Sequence, residues 1–231
     1  VDNTIIYASS MEAGMGGKID IISGATNSAS GIKIQNSAQL LALVNATALP
    51  ANGGAIRMFA TNGGSVTMST NVLISAGTNT IGSADSHGLI DVSASQNITL
   101  DNARLVANQI KLESIAPGGA LIIRNGSILD ANQTLQLLAN TGSGTIHFQN
   151  TGVSTLNAQS GSIVMNAFQV LVDPSHTVNV IAPGNTTVSA TLHNYNDPLN
   201  GGPNVGGGTG AAPNGAFGNI VPGVGTVVRT P

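Results

Sequence analysis

The stretch ITLDNARLVANQIKL, residues 98–112, contains three short apolar patterns in a fixed order, at 98–100, 103–107 and 110–112. The same order returns at 121–137, LIIRNGSILDANQTLQL, and twice more downstream. The first pattern recurs at intervals of 23, 25 and 24 residues, as Ile98-Thr99-Leu100, Leu121-Ile122-Ile123, Ile146-His147-Phe148 and Val170-Leu171-Val172. A fixed period of about 20 to 50 residues is typical of repeat proteins whose units stack along one axis. Because each pattern is short, apolar and bounded by turn residues, the recurrence predicts a stack built from strands alone.

The patterns define three predicted strands in each repeat. The second strand is predicted at 103–107, 127–131, 154–158 and 177–181, and the third at 110–112, 135–137, 163–165 and 188–190. Upstream, 32–34 and 72–74 match the first strand, and 19–21, 56–58 and 89–92 match the third. The 40 residues from Ile32 to Val72 predict an excursion, either around 40–50 or at the turn before 65–69. We expect 40–44 to be a strand or irregular rather than a helical turn, because the segment is short and lies where a strand belongs.

The predicted fold is therefore all-β, a parallel β-helix (β-solenoid) of six or seven coils, each of about 23–26 residues with three short strands. The repeats occupy residues 17–192, and residues 1–16 are expected to form a cap or a linking segment. Residues 193–231 lack the pattern and contain ten glycines and five prolines. This composition is typical of a linker or tail, so we expect a strap or an inter-subunit contact there.

Two kinds of row are predicted along the stack. The middle residues of the third strands face outward and run Asp20, Arg57, Asp91, Lys111, Gln136, Val164 and Ser189, so the first four alternate in sign and predict a ladder of charge. Asparagine recurs in the turns, and we expect side-chain amide ladders in two sets, Asn102, Asn125 and Asn150, and Asn108, Asn132 and Asn157.

The composition excludes several classes of function. Charged residues make up 7%, the net charge is −3, and the seven lysines and arginines form no basic stripe, which argues against nucleic acid as a partner. Membrane insertion is not predicted, because no run of about 18 apolar residues occurs. There is no cysteine. The composition as a whole favours a location outside a bacterial cell or on its surface.

The search for chemistry gives no catalytic, cofactor or metal residue. The acidic residues of the regular coils are Asp91, Asp101, Glu113, Asp130 and Asp173, and few of them fall at matching points of neighbouring repeats, as a carboxylate pair for glycoside cleavage requires. His147 takes an outward position with no second histidine in its row, and Ser175-His176 is interpreted as a turn pair. A nucleophile elbow and a full calcium loop are both absent from the sequence. A carbohydrate-active β-helix enzyme, either a polysaccharide lyase or a hydrolase, remains the alternative from another class.

Three units carry a resemblance to a known family: Gly-Ser-Ile-Val-Met-Asn-Ala at 161–167, Gly-Gly-Ser-Val-Thr-Met-Ser at 63–69 and Leu-Asp-Ala-Asn-Gln at 129–133. They resemble the repeats of bacterial large exoproteins, the filamentous-haemagglutinin-like surface proteins, over residues 17–192. The resemblance implies a right-handed parallel β-helix in an exported, elongated, non-enzymatic protein of adhesion or surface architecture. The Asn-Pro-Asn-Gly motif near the start of that family's secretion domain has its nearest counterpart only in Ala212-Pro213-Asn214-Gly215.

These observations predict a non-enzymatic, extracellular or cell-surface structural or adhesive protein that associates end to end into a fibre. The expected partners are copies of the chain itself, head to tail, or surface glycans and the surface of a host or neighbouring cell. The apolar residues near the two termini are the candidates for self-association: Ile5, Ile6, Tyr7, Phe217, Ile220, Val221, Val224, Val227 and Val228. A monomeric fragment of a long adhesin is the other alternative.

Overall fold

The computed structural model describes residues 1–10, 16–24, 31–44, 53–77, 81, 87–196 and 217–230. These residues contain seventeen strands and no helix, so none of them lies in a helix that could cross a membrane. The strands are β1 (Ile5–Ser10), β2 (Lys18–Ser23), β3 (Gly31–Gln35), β4 (Gln39–Val44), β5 (Ala55–Ala60), β6 (Ser65–Gly77), β7 (Leu89–Ala94), β8 (Ile98–Ser114), β9 (Ala120–Arg124), β10 (Ile128–Ala139), β11 (Thr145–Gln149), β12 (Gly152–Ala158), β13 (Ser162–Val172), β14 (His176–Ile181), β15 (Thr186–Asn194), β16 (Asn219–Val224) and β17 (Val227–Thr230). The all-β prediction is confirmed for this part of the chain.

Every strand pairing in the described residues is parallel. Strands β8, β9, β11, β13 and β10 pair in a closed ring, and the other strands pair outside it. The ring closes because β8, β10 and β13 are long, and each pairs with different neighbours through different parts of its length.

The pairings fall into three ladders, numbered here after the three patterns of the sequence. Ladder 1 runs β3–β6–β8–β9–β11–β13–β15. Ladder 2 runs β1–β4–β6–β8–β10–β12–β14–β16. Ladder 3 runs β2–β5–β7–β8–β10–β13–β15–β17. Ladders 2 and 3 thus contain eight described strands each, more than the six or seven coils expected, because strands near both termini continue them.

The predicted alignment of the first strand is confirmed from residue 98 onward. Ile98 lies opposite Leu121, Leu121 opposite Ile146, and Ile146 opposite Val170. The upstream prediction at Val72 is wrong: 66–68 take that place in ladder 1, and Val72 lies opposite Ala103 in ladder 2. The interval from Ile32 is therefore 34 residues rather than 40. Both segments of β6 are apolar with the same alternation, so the pattern alone could not separate them.

Two other sequence expectations have clear outcomes. Residues 40–44 are strand, as favoured, within β4, whereas 45–50 lie outside the described residues. The strand predicted at 188–190, the last of the third strands, begins two residues earlier in the structure. Ile163 lies opposite Thr186, and Met165 lies opposite Val188. A buried threonine, 1% exposed, occupies a core position there, and a displacement of two residues leaves every side chain on its expected face.

A single apolar core extends through the ladders, from Ile19 to Val227. Its residues alternate with outward ones along the strands, as in β5 and β7, where every second side chain is buried. The core is mostly isoleucine, leucine, valine, methionine and alanine. Polar side chains at the strand ends lie outside this core and form rows across the ladders.

Candidate functional site: a polar row between ladders 1 and 2

The turns that join ladder 1 to ladder 2 have left-handed backbone. Asn102, Asn125 and Asn150 have φ of 52°, 52° and 69°. Asparagine tolerates this conformation better than other residues with a Cβ, which explains why it recurs here. The turns turn the chain sharply after each ladder 1 strand, so the residues just before them stack in one row.

The expected amide ladder at these turns is interrupted. Asn102 Nδ2 donates to Asn71 Oδ1 at 2.6 Å, but Asn125 Nδ2 donates to Asp101 Oδ1, also at 2.6 Å. A carboxylate is the stronger acceptor for that amide.

The second asparagine set is confirmed for one pair, since Asn132 Nδ2 donates to Asn108 Oδ1 at 3.3 Å. The prediction that Asn157 is the third member of this set is wrong. Asn157 lies opposite Asp130 and donates to it at 2.9 Å, and Ser160 is the residue that contacts Asn132.

An ion pair forms the centre of the row before the turns. Arg124 Nε and Nη2 lie 3.1 and 3.0 Å from Asp101 Oδ2, and Arg124 Nη1 donates to Gln149 Oε1 at 3.2 Å. The three residues are successive in ladder 1, so the arginine bridges its two neighbours. Both charged side chains are partly exposed, and pairs of this kind are worth about 0–1 kcal/mol unless they belong to a network.

His147 and Asp173 continue the row. His147 Nε2 lies 2.7 Å from Asp173 Oδ1, and the Asn150 N–H donates to Asp173 Oδ2 at 2.8 Å. Burial raises the pKa of Asp173, but the hydrogen bonds from His147 and Asn150 outweigh it, so the net pKa lies below its usual value. His147 faces outward as predicted, and it has a specific carboxylate partner that the sequence reasoning did not identify.

A buried serine–histidine pair lies beside this row and was missed by the sequence reasoning. His176 Nδ1 lies 3.0 Å from the Asn150 carbonyl and Nε2 lies 3.2 Å from Ser154 Oγ. A carbonyl can only accept, so Nδ1 carries the proton and Nε2 accepts from the Ser154 hydroxyl. That is the polarity of an activated nucleophile. However, both side chains are 0% exposed, and burial lowers the pKa of His176. A substrate cannot reach the hydroxyl, so the pair serves to satisfy a buried turn.

The alignment of the charged row predicted for the third strands is confirmed in ladder 3 for its first four residues. Asp20, Arg57, Asp91 and Lys111 lie opposite one another in order, with Gln136 and Val164 following and Thr187 in place of Ser189. The shortest ion pairs nevertheless run along the strands, Lys18–Asp20 and Lys111–Glu113, both at 2.7 Å. The hydrogen bond with Glu113 raises the pKa of Lys111 against burial, and the charges of Glu113 and Asp91 add to it.

The remaining carboxylates of the coils also have partners. Asp130 lies 3.9 Å from Arg104 and accepts from Asn157 and Gln159. The described residues contain no group of three histidine or acidic side chains that could hold a metal. Two of the cavities are grooves of about 280 and 290 Å³, lined in the main by asparagine, small and aliphatic residues.

The residues expected to mediate self-association lie near the two ends of the ladders. Ile5 and Tyr7 of β1 are 62% and 53% exposed, while Ile6 packs partly against the core. In β16 and β17, Ile220 and Val227 are buried against this chain's own strands. Val224 and Val228 are 50% and 41% exposed, and Phe217 and Val221 are half-buried. Much of the glycine- and proline-rich segment, 197–216, lies outside the described residues, as does 212–215 within it.

Comparisons of the chain with models of protein families, with curated proteins and with solved structures returned no match.

Proposed function

We propose that the chain is a right-handed parallel β-helix that serves as a non-enzymatic structural or adhesive rod, outside the cell or on its surface. Three parallel ladders with one strand per repeat support the fold. Parallel connections within a sheet are right-handed in about 98% of cases, which supports the hand. Successive strands lie about 4.8 Å apart, so eight of them give a rod about 35 Å long.

The pairing of polar side chains across neighbouring repeats is the observation that carries the function. Asp101 pairs with Arg124, Asp130 accepts from the Asn157 amide and Asp173 accepts from the Asn150 N–H, so each carboxylate is already paired with an adjacent repeat. General acid–base cleavage of a glycan instead needs two carboxyl groups held toward a substrate. Resemblance to exoprotein repeats and the low content of charged residues support the location.

Removal of one whole repeat tests the fold. Deleting 121–145 should leave a folded protein that is shorter by about one strand spacing, because Ile98-Thr99-Leu100 would then pair with Ile146-His147-Phe148. Deleting only 121–132 is the matched control, because it leaves a broken register. X-ray scattering and cooperative unfolding measure both. A whole-repeat deletion that unfolds the chain as fully as the partial deletion contradicts a β-helix.

The activity is tested separately on polysaccharides. Purified protein incubated with uronic-acid and neutral glycans should release neither unsaturated products nor reducing ends, while fluorescently labelled protein should bind cells or glycans without altering them. Product formation that Asp130→Asn abolishes would show that the enzyme alternative is correct. Binding to no cell surface or glycan would leave only the structural half of the proposal.

End-to-end association is a second proposal, favoured by the exposed apolar side chains on terminal strands. Ile5, Tyr7 and Ile22 lie on β1 and β2, and Val224 and Val228 lie on β16 and β17. Sedimentation should show larger species at higher protein concentration, and Tyr7→Ser should reduce them. Thr67→Ser, an outward change in β6, which has a neighbouring strand on each side in ladder 1, is the control. Single particles at every concentration would refute the proposal.

A further inference from the structure

Three inward positions at the C-terminal end of ladders 1 and 3 are occupied by residues with polar tips, whereas Ile220 and Val227 keep the aliphatic pattern. His193 lies opposite Val170 in ladder 1, and Tyr195, two residues later, faces the same way. Arg229 lies opposite Val188 in ladder 3. The residues at the same inward positions of the preceding strands are aliphatic, methionine or Phe148, so these three positions differ in chemistry from the core beneath them.

These three side chains contact one another. His193 Nδ1 lies 3.2 Å from Tyr195 Oη, and the rings meet edge to face at 5.8 Å. The Arg229 guanidinium carbon lies 4.8 Å from the centre of the Tyr195 ring, within cation–π distance. Tyr195 is 0% exposed and His193 is 7% exposed. The layer therefore covers the apolar core with buried polar rings, and Arg229 is the partly exposed member of the three.

The backbone edge of ladder 2 is closed at the same end. The Asn196 N–H donates to the Gly218 carbonyl, and the Ile220 N–H donates to the Asn196 carbonyl, both at 2.9 Å. Asn196 Nδ2 also donates to the Phe217 carbonyl at 2.6 Å. Asn196 thus takes the position of a further strand beside the start of β16, on the side away from β14.

Pro222 closes the rest of that edge. Alternate residues of a parallel strand direct their N–H groups to the same edge of the strand. The nitrogen of Pro222 therefore lies on the edge away from β14, as the Ile220 N–H does. Proline has no N–H to donate, and edge prolines prevent the addition of a strand. An added parallel strand would find its first partners occupied by Asn196 and its next donor missing.

We propose that five residues form a cap that ends the stack and prevents a coil of another copy of the chain from pairing with it: His193, Tyr195, Asn196, Pro222 and Arg229. This inference rests on the β-helix of the proposed function. It limits the second proposal there, because head-to-tail growth through strand pairing is blocked in ladder 2 at this end. Association through exposed side chains, such as Val224 and Val228, remains compatible with the cap.

The cap is tested by opening it. In the double variant Pro222→Val/Arg229→Leu, residue 222 regains a backbone N–H at the open edge of β16, and residue 229 gains an apolar side chain that faces the core. We expect this variant to associate at concentrations where the natural chain does not. Pro174→Val/Arg104→Leu is the matched control, because Pro174 lies in an exposed turn and Arg104 faces outward in ladder 2. Sedimentation and electron microscopy measure association. A folded double variant that associates no more than the control would overturn the proposal.

Hydrogen exchange on the natural protein covers the case in which the double variant does not fold. The Ile220 amide should exchange slowly, because Asn196 accepts its hydrogen, although β16 has no other described strand on that side. Exchange of Ile220 as rapid as that of the exposed turn amide of Gly126 would overturn the cap. Neither result depends on the deletion of 121–145, so failure of the cap and failure of the β-helix are distinguishable.

Discussion

Acidification should destabilise the protein through two buried histidines. Burial lowers the pKa of His176, and burial together with the charge of Arg229 lowers the pKa of His193. The unfolded chain then binds protons at a higher pH than the folded chain does. The stability that depends on neutral histidine is fully present above the unfolded pKa, about 6.5, and is lost as the pH falls through the folded values.

The size of the effect follows from the number of protons taken up on unfolding. Each histidine contributes at most about 1.4 kcal/mol per pH unit, so the two together give a slope of at most about 2.7 kcal/mol per pH unit below pH 6.5. Asp173 acts in a lower window, because its folded pKa is depressed and its contribution is lost only as the pH falls below about 3.9.

Urea unfolding at a series of pH values measures the slope. His176→Gln should remove the His176 share, because an amide can still donate to Asn150 and accept from Ser154 without titrating. His193→Gln should remove the other share, and the double variant should be nearly flat between pH 5 and 7, an interval chosen around the usual histidine pKa of about 6.5. Stability that rises on acidification, or a slope unchanged in both single variants, would refute the reasoning.

Three further predictions concern single contacts. Phe148→Ala should lower the free energy of unfolding by about 3–5 kcal/mol, because the ring is fully buried, whereas Phe59→Ala, an outward and half-buried position, should cost clearly less; chemical denaturation measures both. Asn125→Ala should cost about 1–2 kcal/mol more than Asn125→Gly in the same assay, since φ is 52° and both variants lose the bond to Asp101 equally. Ser154→Ala should cost about 1–3 kcal/mol at neutral pH, because it leaves the buried His176 Nε2 without its partner, and an unchanged midpoint would contradict that hydrogen bond.

The sequence was sufficient to predict the alignment of strands over 98–172. Within this range the repeats differ in length by at most two residues, and the turns after the first strands contain asparagine at fixed places. Upstream the prediction failed at Val72, because β6 contains two apolar segments with the same alternation. The left-handed residues Thr70 and Asn71 mark the boundary between them, and only asparagine gives a signal of that turn in the sequence.

Less of the polar architecture could be predicted, because its contacts depend on exact stacking. In the sequence, His176 is interpreted as a turn residue. Its spacing of two and four residues from Val178 and Val180, however, places its side chain on the same, core-facing side of β14. This spacing could have predicted a buried histidine, but histidine is not an apolar residue and so did not match the strand pattern. The cap was hidden for the same reason: the apolar pattern of the sequence stops at about His193, whereas the inward positions continue with Tyr195 and Arg229 as well as aliphatic residues.

The sequence separations of the polar contacts indicate which repeats of the proposed β-helix stabilise one another. Asp101–Arg124, Arg124–Gln149 and His147–Asp173 are 23, 25 and 26 residues apart, which is one repeat in each case. In the proposed β-helix each repeat would therefore contact only its two neighbours, and we expect the free energy of unfolding to be close to a sum of repeat and interface terms. In such a stack an end layer has a partner on one side only, so its inward residues lack half of the contacts that a middle layer has. At this end Arg229 is partly exposed and lies over the buried ring of Tyr195, so a side chain that tolerates water covers the ring where an aliphatic one would add exposed apolar surface. The polar exception at Arg229 thus follows from the same physics that makes the repeat apolar elsewhere.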